Sequence, residues 1–313
     1  MLRAGIVGAG VFGSFHADKY HNSPNVDLCS VFDTSPNRAE KLAEAFNANV
    51  YADYDDFLGS VDILTIAAPA DVHFSLGRRA IELGKHVYME KPLAINVRHA
   101  ELLNNMASEN DVVLQVGHQE RIVIDSLGIF RPDSSLKKLE FCRCGPPSGR
   151  GEEVSVVFDL MIHDLDIASY LGCGELMDVH ACGTAHDIAA TLEFDRGVSA
   201  SFLSSRRSNE RHRSMRAIYD DGEIELDFIN RRYESTRPDD VGKNFETDKM
   251  LDPLSESVSA FVEAVRSGSS VRIPAADAVR AVDLASHVET AYIKLANGSK
   301  SFVEANLAER MTA

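Results

Sequence analysis

Positive charge is scarce in this chain of 313 residues. Lysine and arginine together number 32 against 48 aspartates and glutamates, for a formal net charge of −16. A field of that sign repels nucleic-acid backbones and anionic headgroups, so neither a nucleic acid nor a membrane is expected as a partner. It leaves room for an anionic small molecule, because a cleft can be locally positive. Long apolar runs are missing as well: none approaches the ~18 residues of a membrane-spanning helix. The chain opens with a strand-like stretch, Leu2–Val7, where a signal peptide would need a longer apolar region, and a cytoplasmic protein is expected. The five cysteines (Cys29, Cys142, Cys144, Cys173 and Cys182) are odd in number and contain no C-x-x-C pair. They read as reduced thiols, not as a disulfide framework or a zinc site. Internal repeats and low-complexity linkers are absent. What remains, 44% hydrophobic and 26% charged residues, is ordinary for a globular protein, and at roughly 150 residues per domain the length suggests about two domains.

Short apolar runs alternate with helical stretches through residues 1–121. Leu2–Val7, Val26–Phe32, Val61–Ala67, His86–Met89 and Asp111–Val116 read as strands. Between them Val11–Tyr20, Ala39–Asn47, His73–Leu83 and a stretch from Asn96 to Asn110 read as helices, the third stopping at Gly84 and the last capped by Asn96. Val61–Ala67 is apolar almost throughout, as in a strand covered on both faces. This order predicts an α/β domain with a doubly wound parallel sheet. Beyond Arg121 the texture changes. Leu136–Cys144, Met177–Gly183, Ala189–Phe194, Val198–Ser205, Arg216–Asp220 and Glu223–Phe228 read as strands, the last two joined by the hairpin signal Asp221-Gly222. Helices are expected only at Asp159–Tyr170, Ser255–Arg266 and Ala275–Leu295. The pattern predicts an α+β domain over 122–313 with a large, mostly antiparallel open sheet. Its uncovered face implies a homodimer or homotetramer.

Gly8-Ala9-Gly10-Val11-Phe12-Gly13 joins the first strand to the first helix. In this spacing the first glycine makes a tight turn, the second lets a pyrophosphate approach the backbone and the third packs helix on strand. The phosphates then face the unpaired N–H groups of the helix end. Asp33 closes the second strand 20 residues after Gly13, where a carboxylate can hold the adenosine ribose and repel a 2′-phosphate. NAD is therefore expected ahead of NADP, although Arg38 could pair with such a phosphate.

Lys91, in Glu90-Lys91-Pro92, follows the strand His86–Met89, and ligands of doubly wound sheets bind beyond the carboxyl ends of their strands. Taken with the fingerprint, the segments Ala68-Pro69-Ala70-Asp71-Val72-His73, Gly84-Lys85-His86-Val87, Glu90-Lys91-Pro92-Leu93 and Gln115-Val116-Gly117-His118 resemble the Gfo/Idh/MocA oxidoreductase family. The resemblance covers the N-terminal half closely and the rest more loosely. It implies a Rossmann domain followed by a mixed-sheet domain, and hydride transfer between a sugar or cyclitol carbinol and NAD(P). It places Pro69, His73, Glu90 and Lys91 beside the cofactor, and Lys91 on the reacting hydroxyl. It also implies a D-x-x-x-H motif on a helix of the second domain, which Asp159-Leu160-Met161-Ile162-His163 supplies. That spacing has its own logic, since residues four apart share a helical face. His163 can take the hydroxyl proton, Asp159 can orient it, and Lys91 can stabilise the developing alkoxide.

Val157–Asp164 and Gly117–Arg121 further resemble bacterial nucleotide-sugar 3-dehydrogenases, which oxidise UDP-N-acetylglucosamine or its uronic acid at C3 ahead of an aminotransferase. This adds Arg121 to the substrate ligands, although Arg121-Ile122-Val123-Ile124 departs from the Arg-Phe-x-Pro common in relatives. Arg206, Arg207, Arg211, Arg213 and Arg216 form a cluster that could hold a diphosphate; a solvated loop or an oligomer contact explains it equally well. The rivals are a dehydrogenase of a free sugar or inositol and an NAD(P)-binding regulator without turnover. His163-Asp164-Leu165-Asp166 invites a metal reading as well, but further ligands are not evident and no metal is expected.

Overall fold

The computed structural model describes residues 1–128, 135–147, 149, 154–238 and 251–311, with side chains through 296. The chain divides into two compact units, Met1–Phe130 with Glu246–Val282, and Arg131–Phe245 with Asp283–Ala313.

In the first unit β1 (Leu2–Val7), β2 (Val26–Phe32), β3 (Asn49–Tyr51), β4 (Ile63–Ile66), β5 (His86–Met89) and β6 (Leu114–Val116) form one sheet in the order β3-β2-β1-β4-β5-β6. Every pairing is parallel, the strand order of a dinucleotide-binding fold. All four residues of β4 are buried, as a central strand with helices on both faces requires. Helices α1 (Val11–His21), α2 (Pro36–Phe46), α3 (Tyr54–Ser60), α4 (His73–Glu82), α5 (Val97–Glu109) and α6 (Glu120–Leu127) connect or follow these strands. The short β3 and α3 lack a sequence run long enough to announce them. The boundary read at Arg121 would cut α6, where Arg121, Ile122, Val123 and Ile124 are all buried.

The larger departure is the return of 246–282 to this unit, which the sequence reading assigned to the second domain. Helix α8 (Pro253–Ser267) begins with Pro253 and with Asp252 accepting from the Ser255 N–H at 3.0 Å, a favourable helix start. Its Val258, Phe261 and Val262 join Ala17 and Tyr20 of α1 in one core cluster. Tyr88 fixes its position, with its ring edge-on to Phe261 and its hydroxyl 2.9 Å from Ser257 Oγ. Apolar surface left by the parallel sheet and its helices is thus buried by a segment that arrives late in the chain.

In the second unit β7 (Leu136–Cys144), β8 (Leu176–Thr184), β9 (Asp187–Phe194), β10 (Ser199–Ser205), β11 (His212–Tyr219), β12 (Gly222–Asp227) and β13 (Arg232–Ser235) lie in the order β13-β12-β11-β7-β10-β9-β8. Only β7 with β10 is parallel. There Phe141 stands opposite Phe202, and their rings stack 5.1 Å apart. β11 starts at His212, four residues before the expected Arg216, because its register against β7 continues to Cys144. The expected helix at Asp159 is a wide π-helical turn, Val157–Met161, running into α7 (Ile162–Tyr170). Helix α9 (Ala275–Met311) belongs to the first unit through Val282 and to the second from Asp283.

Candidate active site

The glycine loop has the shape its sequence implies. Gly8 has φ of +94°, and a Cβ there would lie 2.6 Å from the Ala67 carbonyl oxygen. A Cβ on Gly13 would meet the Gly8 carbonyl oxygen at 1.9 Å, so only glycine allows α1 to approach β1 this closely. At Gly10, by contrast, a Cβ would meet nothing within 4 Å, and Gly10 leaves α1 without a side-chain cap. Open space in front of uncapped amides fits the phosphates of a dinucleotide. Val11 and Phe12 are half exposed beside it.

Asp33 lies within this loop's reach. Its carboxylate accepts from the Ala9 N–H at 2.7 Å, the Ser35 N–H at 2.7 Å and the Arg38 guanidinium at 2.7 Å. Burial would push its pKa up, but Arg38 and the two backbone donors outweigh that and hold it below the usual carboxylate range. Arg38 is well exposed and turns its guanidinium onto Asp33.

Glu90 and His73, both expected at the cofactor, are buried and make hydrogen bonds within the first unit. Glu90, 6% exposed, stands just past β5 and accepts from His16 Nε2 at 2.8 Å and Gln119 Nε2 at 2.9 Å. Burial works against its charge, but His16, Lys91 and Gln119 together keep its pKa below the ordinary value. Gly117 is glycine for the same reason: a Cβ would sit 2.8 Å from Glu90 Oε1. His73, 1% exposed, bridges two turns, with Nδ1 2.7 Å from the Pro92 carbonyl and Nε2 2.9 Å from that of Ala68. Burial lowers its pKa against the pull of both carbonyls. Pro69 remains exposed and Lys91 half-buried. Arg121, expected on the substrate, is buried and gives Nη1 to Asp277 Oδ2 at 2.5 Å.

In the second unit Asp159 sits on the π-helical turn and His163 in the first turn of α7, both half-buried. Such wide turns recur at functional sites. Asp159 Oδ2 lies 3.5 Å from Nη1 of Arg206. Arg206 is itself buried, donating Nη2 to the Val154 and Ala185 carbonyls. The arginine cluster is therefore divided by the fold. Arg206 supports the catalytic candidate, and Arg216 pairs with Glu140 and Glu223 across the sheet. Arg207, Arg211 and Arg213 are exposed. Asp164 is buried against Arg143, which reaches both carboxylate oxygens at 2.7–3.1 Å. A metal reading of the His163-Asp164 pair would compete with that ion pair.

Sequence reasoning passed over His16, and included Gln119 only as part of the Gly117–Arg121 segment. A signal for His16 was present, because Gly13, His16, Ala17 and Tyr20 are spaced as one helical face and all four are buried. For Gln119 that segment gave no hint of its bond to Glu90, 29 positions away.

Comparison with known proteins identifies the family. Residues 2–118 match the Gfo/Idh/MocA model, an oxidoreductase family with an NAD-binding Rossmann fold. A UDP-N-acetylglucosamine 3-dehydrogenase of Acidithiobacillus ferrooxidans is 33% identical over 240 residues, covering 73% of this chain and 75% of the relative. A solved structure of the enzyme of that name from the same organism superimposes with a TM-score of 0.82 at 30% identity, covering 93% of this chain and 97% of the other. An inositol 2-dehydrogenase of Rhizobium meliloti is 24% identical over 314 residues, 91% of this chain and 94% of the relative. With its glycine loop, parallel sheet and Glu90-Lys91-Pro92 turn, the chain belongs to the Gfo/Idh/MocA family of NAD-binding oxidoreductases.

Proposed function

We propose that this protein is an NAD-dependent dehydrogenase that oxidises a secondary hydroxyl of a nucleotide-linked sugar, specifically C3 of UDP-N-acetylglucosamine. The similarity to the Acidithiobacillus enzyme carries the substrate, supported by the presence of Lys91, Asp159 and His163 in one chain. When bound, NAD supplies the hydride acceptor. Gly8, Gly10, Val11, Phe12 and Gly13 hold it, with Asp33 at the adenosine ribose and Pro69 at the rim. His163 takes the hydroxyl proton, Asp159 orients it, and Lys91 stabilises the alkoxide as it forms. The ion pair with Arg206 keeps the Asp159 carboxylate directed. A ketone formed at C3 suits a downstream aminotransferase, and the reading places the reaction in the cytoplasm. It also includes a homodimer or homotetramer, supported by the exposed Met177 and Leu203 of the second sheet.

The test is a panel of UDP-sugars, free sugars and inositols with NAD, followed by NADH absorbance. UDP-N-acetylglucosamine should far exceed free N-acetylglucosamine in kcat/KM. A subsite arginine contributes about 1.5–3 kcal/mol, so its loss should raise KM by ~10- to 150-fold. Arg207, Arg211 and Arg213 are the members of the cluster to replace. Equal kcat/KM for the free and UDP-linked sugars would overturn the nucleotide-sugar reading in favour of a free-sugar or inositol dehydrogenase. The inositol 2-dehydrogenase relative, similar along nearly the whole chain, supports that second reading.

Cofactor choice is tested separately. NAD should bind more tightly than NADP, because an ionised Asp33 disfavours a 2′-phosphate. Asp33→Ala should narrow the gap, and it should also weaken NAD, since Asp33 tethers the loop through the Ala9 N–H. Isothermal titration calorimetry with each cofactor measures both effects; equal wild-type affinities would reassign Arg38 to the 2′-phosphate.

A further inference from the structure

The Glu90 carboxylate is buried just beyond a strand end, beside the residue to which the proposed function assigns the alkoxide. Taking such a group out of water is costly unless it is fully met by partners. Two arrive from different parts of the first unit. His16 comes from α1, the helix whose first turn faces the open space at Gly10. Gln119 comes from the turn before α6. His16 is itself inaccessible, with Nδ1 3.3 Å from Thr65 Oγ1 and its ring 4.8 Å from that of Tyr88. On the other side of Lys91, the Pro92 carbonyl is met by His73 Nδ1. The residues before and after Lys91 are thus both anchored, and anchoring the neighbours of a residue sets the direction in which its side chain leaves the backbone.

We propose that His16 and Gln119 are positioning residues for Lys91, which they hold in its working direction through the buried carboxylate of Glu90. Because His16 belongs to α1, the cofactor loop and Lys91 share one rigid support. The inference rests on the proposed role of Lys91, and its test separates the two. A misplacement of about 1 Å at a reacting group can cost ~10²-fold in rate, so a loosened brace reads out in kcat.

The variants are His16→Leu, His16→Gln, Gln119→Leu and Lys91→Met, each assayed with NAD and the sugar that the wild-type protein oxidises best. NADH affinity is measured by fluorescence titration, and folding by thermal melting. His16→Leu should lose about 10²-fold in kcat with NADH affinity little changed. His16→Gln, whose amide can still donate to Glu90, should recover most of the loss. Gln119→Leu should lower kcat in the same direction, and it alone decides if His16→Leu does not fold. Unchanged kcat in the brace variants, or a loss matched by an equal loss of NADH affinity and not recovered by glutamine, would overturn the proposal while leaving Lys91 in its role. Turnover persisting in Lys91→Met would instead remove Lys91 from the chemistry, and the brace with it.

Discussion

His163→Ala and Lys91→Met should each lower kcat by about 10²- to 10⁴-fold, the scale on which a positioned acid–base group or charge stabiliser acts. The two losses should be of different kinds. His163 lies in the first turn of α7, in the second unit, so its removal should leave NAD affinity intact and act on proton removal alone. The kcat of that variant should rise with pH, because hydroxide replaces the missing base. Lys91 follows β5 in the first unit. Its loss should depress kcat with little pH recovery, since hydroxide cannot replace a cation beside a developing alkoxide. Steady-state kinetics between pH 6 and about 10 distinguish the two patterns. Near-normal turnover of His163→Ala would remove it as the base.

The largest effect on stability should come from the residue that follows. Arg143 and Asp164 are each about 2% exposed and share three hydrogen bonds of 2.7–3.1 Å. Removing one partner of a buried pair typically costs about 3–5 kcal/mol, because the other charge stays out of water with that counter-charge lost. Asp164→Ala should therefore lower the melting temperature by about 6–20 °C at the sensitivity of a domain of this size. The double variant Arg143→Met, Asp164→Leu should recover much of that loss, since it removes both charges and keeps apolar volume in their place. Calorimetry or circular dichroism measures both. A wild-type melting temperature for Asp164→Ala would show that the pair contributes nothing to the fold. The result also bears on His163, because Asp164 anchors the same turn of α7 to β7. Kinetics on the folded fraction of Asp164→Ala should show a smaller kcat loss than His163→Ala.

The first sheet, the glycine loop and Asp33 were legible from the sequence for one reason: each is a local pattern. Apolar runs alternate with helical periods through residue 121, and within the first 33 residues three glycines stand at set intervals and an acidic residue follows the next strand. The Glu90-Lys91-Pro92 turn and the D-x-x-x-H spacing are local in the same sense, and so were visible as candidates. A strand of three residues such as β3 is too short for any periodicity, and α8 carried a helix signal with nothing to say which unit it would cover.

The fate of the charged side chains is another matter. Arg121 is buried and donates to Asp277, 156 positions away. Glu90 is buried against His16, 74 positions away. Arg206 was one arginine among five and became the partner of Asp159. In an unfolded or extended chain each of these groups is solvated and looks alike; what distinguishes them is how much water the fold removes and which opposite charge it brings within hydrogen-bond reach. The sequence by itself determined the layered α/β start, the cofactor loop and the chemical types at the site, because spacing and periodicity reside in contiguous residues. Only the tertiary structure decided which of those ionisable groups are buried and which opposite charge each one meets, because burial and pairing depend on segments that meet only when the chain is folded.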